Sequence, residues 1–196
     1  MRNFQKHPIC VARHALAMVL VALAAACGGG AGAVSAPAPP PPPALSRAAL
    51  PTSMDMTTST LGVEDLVRDA PIDGFADKLQ TLGYESGQQR EFRGPTHTFS
   101  TVVSRSLLFK DAAGAHGYVQ LVADGVAEFF GKGSKLQPLS SNGRSGYLIT
   151  AAPCGCHLET PILVAVVSKG DRVTWLYGTG RGARPPALRA LLQRAP

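Results

Sequence analysis

The chain has 196 residues and a mass of 20.4 kDa, with 45% hydrophobic and 16% charged residues, 21 glycines, 16 prolines and a formal charge of +6. Three of the positive charges (Arg2, Lys6 and Arg13) lie near the start, so residues 27–196 carry only +3. No basic run has interleaved aromatics, which excludes nucleic acid as a partner.

Ala15–Cys27 is an apolar run that follows those three basic residues and stops at a cysteine. Twelve apolar residues at about 1.5 Å each span roughly 18 Å, short of the ~30 Å a lasting membrane helix must cross. The pattern of positive n-region and short h-region is that of a signal peptide over residues 1–26. Leu23-Ala24-Ala25-Ala26-Cys27 resembles the lipobox of bacterial lipoproteins. That resemblance implies that Cys27 is lipidated, becomes the mature N-terminus and anchors the chain to a membrane outside the cytoplasm.

Residues 27–59 are glycine-rich, then proline-rich (Pro39–Pro43), then rich in Ser, Thr and Met. They show no sustained apolar period and are expected to form a disordered tether. One domain is expected to follow over residues 60–196. Leu61, Val63 and Leu66 predict a first helical turn. Asp73 is placed to cap a second helix carrying Phe75, Leu79 and Leu82, closed by Gly83. Two strands follow, Tyr84–Arg93 and His97–Phe109. The first is polar and reads as an edge strand. In the second, Phe99, Val103, Leu107 and Phe109 share one face with Arg105 as an intruder, which a bulge would resolve.

Asp111 predicts the start of one long helix, Ala112–Phe130, with Ala115, Tyr118, Val119, Val122, Val126, Phe129 and Phe130 as its apolar stripe. Gly114, Gly117 and Gly125 would let it approach a sheet closely. Strands are expected at Leu136–Leu139 and Ser145–Ala151. Ile162–Val167 reads as a strand buried on both faces. Lys169–Arg172 is a turn, and Val173, Trp175 and Tyr177 alternate on the returning strand. Leu188, Leu191 and Leu192 mark a last helix behind Pro185-Pro186. The expected fold is α+β, an antiparallel sheet of five to six strands covered by one long amphipathic helix and a C-terminal helix. This order resembles small extracytoplasmic lipoprotein domains of high-GC Gram-positive bacteria, which implies location and shape more than chemistry.

With Cys10 in the signal peptide and Cys27 the lipid site, Pro153-Cys154-Gly155-Cys156-His157 is the densest cluster of reactive side chains in the body. Cys154 and Cys156 can close a local disulfide, act as a redox pair beside His157, or join His157 in holding Cu(I) or Zn(II). Gly178-Thr179-Gly180-Arg181-Gly182 lacks the Lys-Ser/Thr ending of a phosphate loop and reads as a flexible connector. His97 and His116 are scattered, and no hydrolase motif occurs. Tyr147, Trp175 and Tyr177 could line a ligand face on the sheet. The expectation is a non-catalytic, lipid-anchored envelope module that binds a small ligand or an envelope protein, with no cofactor beyond the lipid. The alternative is a thiol-redox or copper/zinc-binding protein using Cys154, Cys156 and His157.

Overall fold

The computed structural model describes residues 43–70, 72–151 and 160–196. The signal peptide, Cys27, most of the tether and the Cys154–His157 segment lie outside the described residues. Among those described, no helix is long and apolar enough to cross a membrane.

Seven antiparallel strands form one sheet: β1 (Asp55–Leu61), β2 (Tyr84–Arg93), β3 (Thr101–Phe109), β4 (Lys135–Ser141), β5 (Arg144–Thr150), β6 (Ile162–Lys169) and β7 (Arg172–Thr179). Their spatial order is β1-β2-β3-β7-β6-β5-β4. Two of the hairpins use turns whose residues are legible. Asn142 (φ 52°) and Gly143 (φ 72°) join β4 to β5, a pair that tolerates left-handed backbone at both central positions. Gly170 (φ 58°) and Asp171 join β6 to β7.

Each face of the sheet is covered. On one, here the helix face, lie α1 (Val63–Arg68), α2 (Phe75–Thr81), α3 (Ala112–Asp124) and α4 (Val126–Phe130), which bury Leu61, Leu107, Phe109, Ile149, Val164, Val166 and Val173. On the other, the strap face, lie residues 44–54 and α5 (Pro185–Arg194), packed against Phe92, Val102, Leu148, Leu163, Ala165 and Leu176. β6 sits between the two layers, and all its residues from Leu163 to Ser168 are buried.

The ordered body begins earlier than the composition implies. Residues 44–59 are not tether: Ala44, Leu45, Ala49, Leu50 and Met54 enter the core as a strap, and 55–59 belong to β1. The strap has no ladder of its own, so the sheet's side chains satisfy its backbone. Ala44 N–H donates to Gln88 Oε1 (3.0 Å) and Leu45 N–H to Ser104 Oγ (3.0 Å). Arg90 Nη1 donates to both carbonyl oxygens, at 3.1 and 3.0 Å. This explains the polarity of β2, which is an interior strand; the edge beside it is β1.

Five further expectations change. The β2–β3 register runs unbroken through Arg105, and its irregularity lies between Tyr84 and Ser86. Phe99 precedes β3 and packs on the strap face, apart from Leu107 and Phe109. The long helix breaks at Gly125 into α3 and α4. Asp111 does cap α3, accepting from Gly114 N–H at 2.8 Å, whereas α2 starts at Gly74 with no side-chain cap from Asp73. Gly114 and Gly117 admit the end of α2 rather than the sheet: a Cβ on Gly117 would lie 2.5 Å from Leu82 Cδ2, and one on Gly114 would strike the Leu82 carbonyl.

Candidate functional site

The cross-strand register places Gln89, Arg105, Trp175, Val166, Tyr147 and Pro138 in one row across the helix face. Val166 in the middle is fully buried among the α3 side chains. Tyr147 therefore lies to one side of α3, toward β4, with Trp175 and Tyr177 to the other, toward β3. The sequence reading grouped all three tyrosine and tryptophan rings, and the structure divides them into two environments on the same face.

Toward β3, Trp175 and Tyr177 stack in parallel, with ring centroids 6.3 Å apart and planes 5° from each other. Side chains two apart on a strand point to the same face, which is what allows this stacking. The Arg105 guanidinium carbon sits 5.0 Å from the Trp175 ring centroid, within cation–π range. Arg105 Nε donates to Gln89 Oε1 at 2.7 Å, and its Nη2 pairs with the Asp69 carboxylate behind α1. Arg105 needs no bulge because the planar guanidinium lies against an aromatic ring while its N–H groups find partners. Tyr118, buried in α3, has its hydroxyl pKa pushed up to about 12, first by desolvation, with Arg105 opposing and Asp69 adding to the shift. Burial likewise pushes the Tyr84 hydroxyl upward; it donates to Leu61 O at 2.7 Å. These contacts tie Asp69, at the end of α1, to Arg105 and Trp175 on the sheet.

Toward β4 the layers part. A cleft of about 420 Å³ opens between α3 and the β4–β5 hairpin, lined by His116 and Gln120 of α3 and by Pro138, Ser140, Ser145 and Tyr147 of the hairpin. The volume falls within the ~300–1,000 Å³ of small-molecule sites. Tyr147 Oη and the Gln120 amide lie 3.3 Å apart, which fixes the ring as one wall. Among the described residues, no acidic, lysine or arginine side chain lines the cleft. His116, Gln120, Ser140 and Ser145 are the site residues that sequence reading missed. A signal existed in part: the polar side of the α3 stripe carries His116 and Gln120. Nothing in the sequence tells that β4 folds back beneath them.

Among the described residues no three His, Cys, Asp or Glu side chains group as metal ligands. His97 sits in the loop before β3, apart from His116 on α3. The 178–182 connector is packed rather than free. A Cβ on Gly178 would lie 2.8 Å from Phe99 Cε1, and one on Gly180 would lie 2.7 Å from Thr98 O. Its glycines serve close approach to the 97–100 loop.

No family model matches the chain, and no curated protein matches it. Among solved structures it is similar to the crystal structure of the extracellular domain of PknH from Mycobacterium tuberculosis. The likeness has 15% identity and a TM-score of 0.46, and covers 73% of this chain and 83% of that one.

Proposed function

We propose that the chain is a non-catalytic, lipid-anchored module of the cell envelope that binds a small, uncharged, hydroxyl-rich ligand in the Tyr147 cleft. The observation that carries the ligand reading is the lining. Among the described residues, Gln120, Ser140, Ser145 and His116 supply hydrogen-bonding groups without a carboxylate, ammonium or guanidinium, and the Tyr147 ring supplies an apolar wall. A charged ligand would be left without a counter-charge at such a site, whereas a saccharide presents hydroxyls and an apolar ring face together.

Anchoring rests on Cys27 and the apolar run before it. A single acyl chain holds a protein only reversibly, and two or more hold it stably; bacterial lipoproteins, which the segment resembles, carry at least two. Cys27→Ser is expected to move the protein from the membrane pellet to the soluble fraction; unchanged sedimentation with membranes rejects the anchor. For the cleft, ligand-observed NMR with neutral mono- and disaccharides is expected to give saturation transfer that Tyr147→Ala abolishes. Transfer that survives this substitution, or none with any neutral saccharide, rejects the site.

A further inference from the structure

The two edges of the sheet present different backbones. Gly94 N–H donates to Ser100 O at 3.0 Å, one residue beyond the Arg93–Thr101 pair, and Phe109 N–H donates to Asp171 O at 2.9 Å, so the odd-numbered residues of β3 bond toward β7 and the even-numbered ones toward β2. Antiparallel ladders alternate, so Gln88, Arg90 and Phe92 bond to β3 while Gly87, Gln89, Glu91 and Arg93 bond to β1. Asp55, Thr57, Ser59 and Leu61 are thus turned inward, and the backbone N–H and C=O of Met56, Thr58 and Thr60 face away from the sheet.

At the opposite edge, Ala151 N–H donates to Ile162 O at 3.0 Å. The same alternation turns Leu136, Pro138 and Ser140 outward on β4. Pro138 has no N–H, so that edge is interrupted at its middle, a common protection of exposed strands. β1 has no such device. It holds no proline, glycine or basic residue, its one charge is Asp55 at the end, and every side chain from Asp55 to Thr60 is exposed.

We infer that β1 is a self-pairing edge, joining a second copy of the chain antiparallel about a two-fold axis through Thr58 to continue the sheet across both copies. In this register Thr58 faces Thr58, Met56 faces Thr60, and all the outward N–H groups find carbonyls, three from each copy. The two Asp55 side chains then lie at opposite ends of the new ladder. Six residues at ~3.4 Å put them about 20 Å apart, beyond the ~8 Å Debye length. An unrelated extended peptide would gain the same backbone bonds but no pockets for its side chains, since those of Asp55 to Thr60 stand free on both faces. A junction of one strand from each copy falls under the ~1,200 Å² of standard interfaces, so the dimer is weak and concentration-dependent.

Sedimentation velocity of the full chain from micromolar to near-millimolar concentration, with amide exchange by NMR at both extremes, tests this. The expected result is a monomer–dimer equilibrium in which Met56, Thr58 and Thr60 amides gain protection with concentration while Thr57 and Ser59 are protected throughout. Thr58→Pro gives β1 the interruption that Pro138 gives β4, and Thr58→Lys sets like charges face to face at the axis. Each is expected to weaken the dimer at least tenfold, with Thr57 and Ser59 protection showing that β1 stays in place. A monomer at every concentration, a dimer indifferent to both substitutions, or protection of the three outward amides in the monomer, which would mean another segment of this chain lies along β1, overturns the inference.

Discussion

On the strap face the sheet's polar side chains reach for the backbone of the layer that covers it; on the helix face Arg105 reaches for other side chains. Gln88, Arg90 and Ser104 satisfy the N–H and C=O groups of Ala44 and Leu45, and Arg144 donates to the carbonyls of Leu192, Ala195 and Pro196 at 3.0, 2.7 and 2.6 Å. Arg105 instead meets Gln89, Asp69 and the Trp175 ring. The difference follows from what covers each face. An extended strap and a helix C-terminus bring orphan backbone groups, which must be paired when buried. The sides of helices α1 to α4 have satisfied backbones and bring only side chains. A layer without its own ladder therefore imposes polar residues on the strand beneath it, and this is why an interior strand such as β2 has the composition of an edge.

The sharpest way to break this comparison is through the strap. Leu45 is fully buried, and Leu45→Ala is expected to cost about 2–5 kcal/mol in denaturant unfolding, in the range of core truncations. A loss under about 1 kcal/mol would show that the strap stands outside the cooperative unit. Next in size is the alkaline limb, which reports the helix face. Tyr118 keeps its proton to a higher pH in the folded state than the ordinary value near 10. Its contribution is therefore fully present below pH 10 and is lost as pH rises toward 12, about 2–3 kcal/mol in all. Tyr118→Phe is expected to reduce the slope of that part of the stability–pH curve, the raised Tyr84 keeping its own share. An unchanged slope between pH 10 and 12 would place the titration elsewhere. The smallest effect belongs to Asp69→Asn. The carboxylate is 41% exposed, so its pairing with Arg105 is screened, and the loss is expected to stay within about 1 kcal/mol at low salt and to shrink in high salt. A larger, salt-insensitive loss would make the Arg105 cluster the equal of the strap contacts.

The helices and the central strands were legible because their apolar period is set by burial on a known side. Ala115, Tyr118, Val119 and Val122 repeat at helical spacing, and Ile162–Val167 is apolar throughout because α3 lies on one face of β6 and α5 on the other. β1 was illegible for the converse reason. Its side chains are exposed on both faces, so Thr57-Thr58-Ser59-Thr60 carries β-branched residues but no alternation, and reads as a polar linker. The strap is illegible because Leu45, Leu50 and Met54 follow no single period, although they are the first large apolar residues after a proline-rich stretch. Gly125 was counted as a helix residue, and its break shifts α4 toward Phe75, where Phe129 makes an edge contact at 5.8 Å. Of the site, the strand alternation gave Tyr147, Trp175 and Tyr177 to one face. Their separation by α3 depends on which strands the helix crosses, a matter of tertiary order that no local window contains.

Arg194 Nη1 donates to Ala49 O across 145 residues, so the first and the last described segments meet on a single layer. α1 and α2 pack against β1 and β2, their neighbours in the chain, whereas α3 must wait for β6 and β7, its main partners. The opposite layer is completed only when α5 packs on β6 and β7. Until residues 185–194 are in place, the cluster around Phe92, Val102 and Leu176 lacks part of its cover, and such exposed apolar surface favours aggregation.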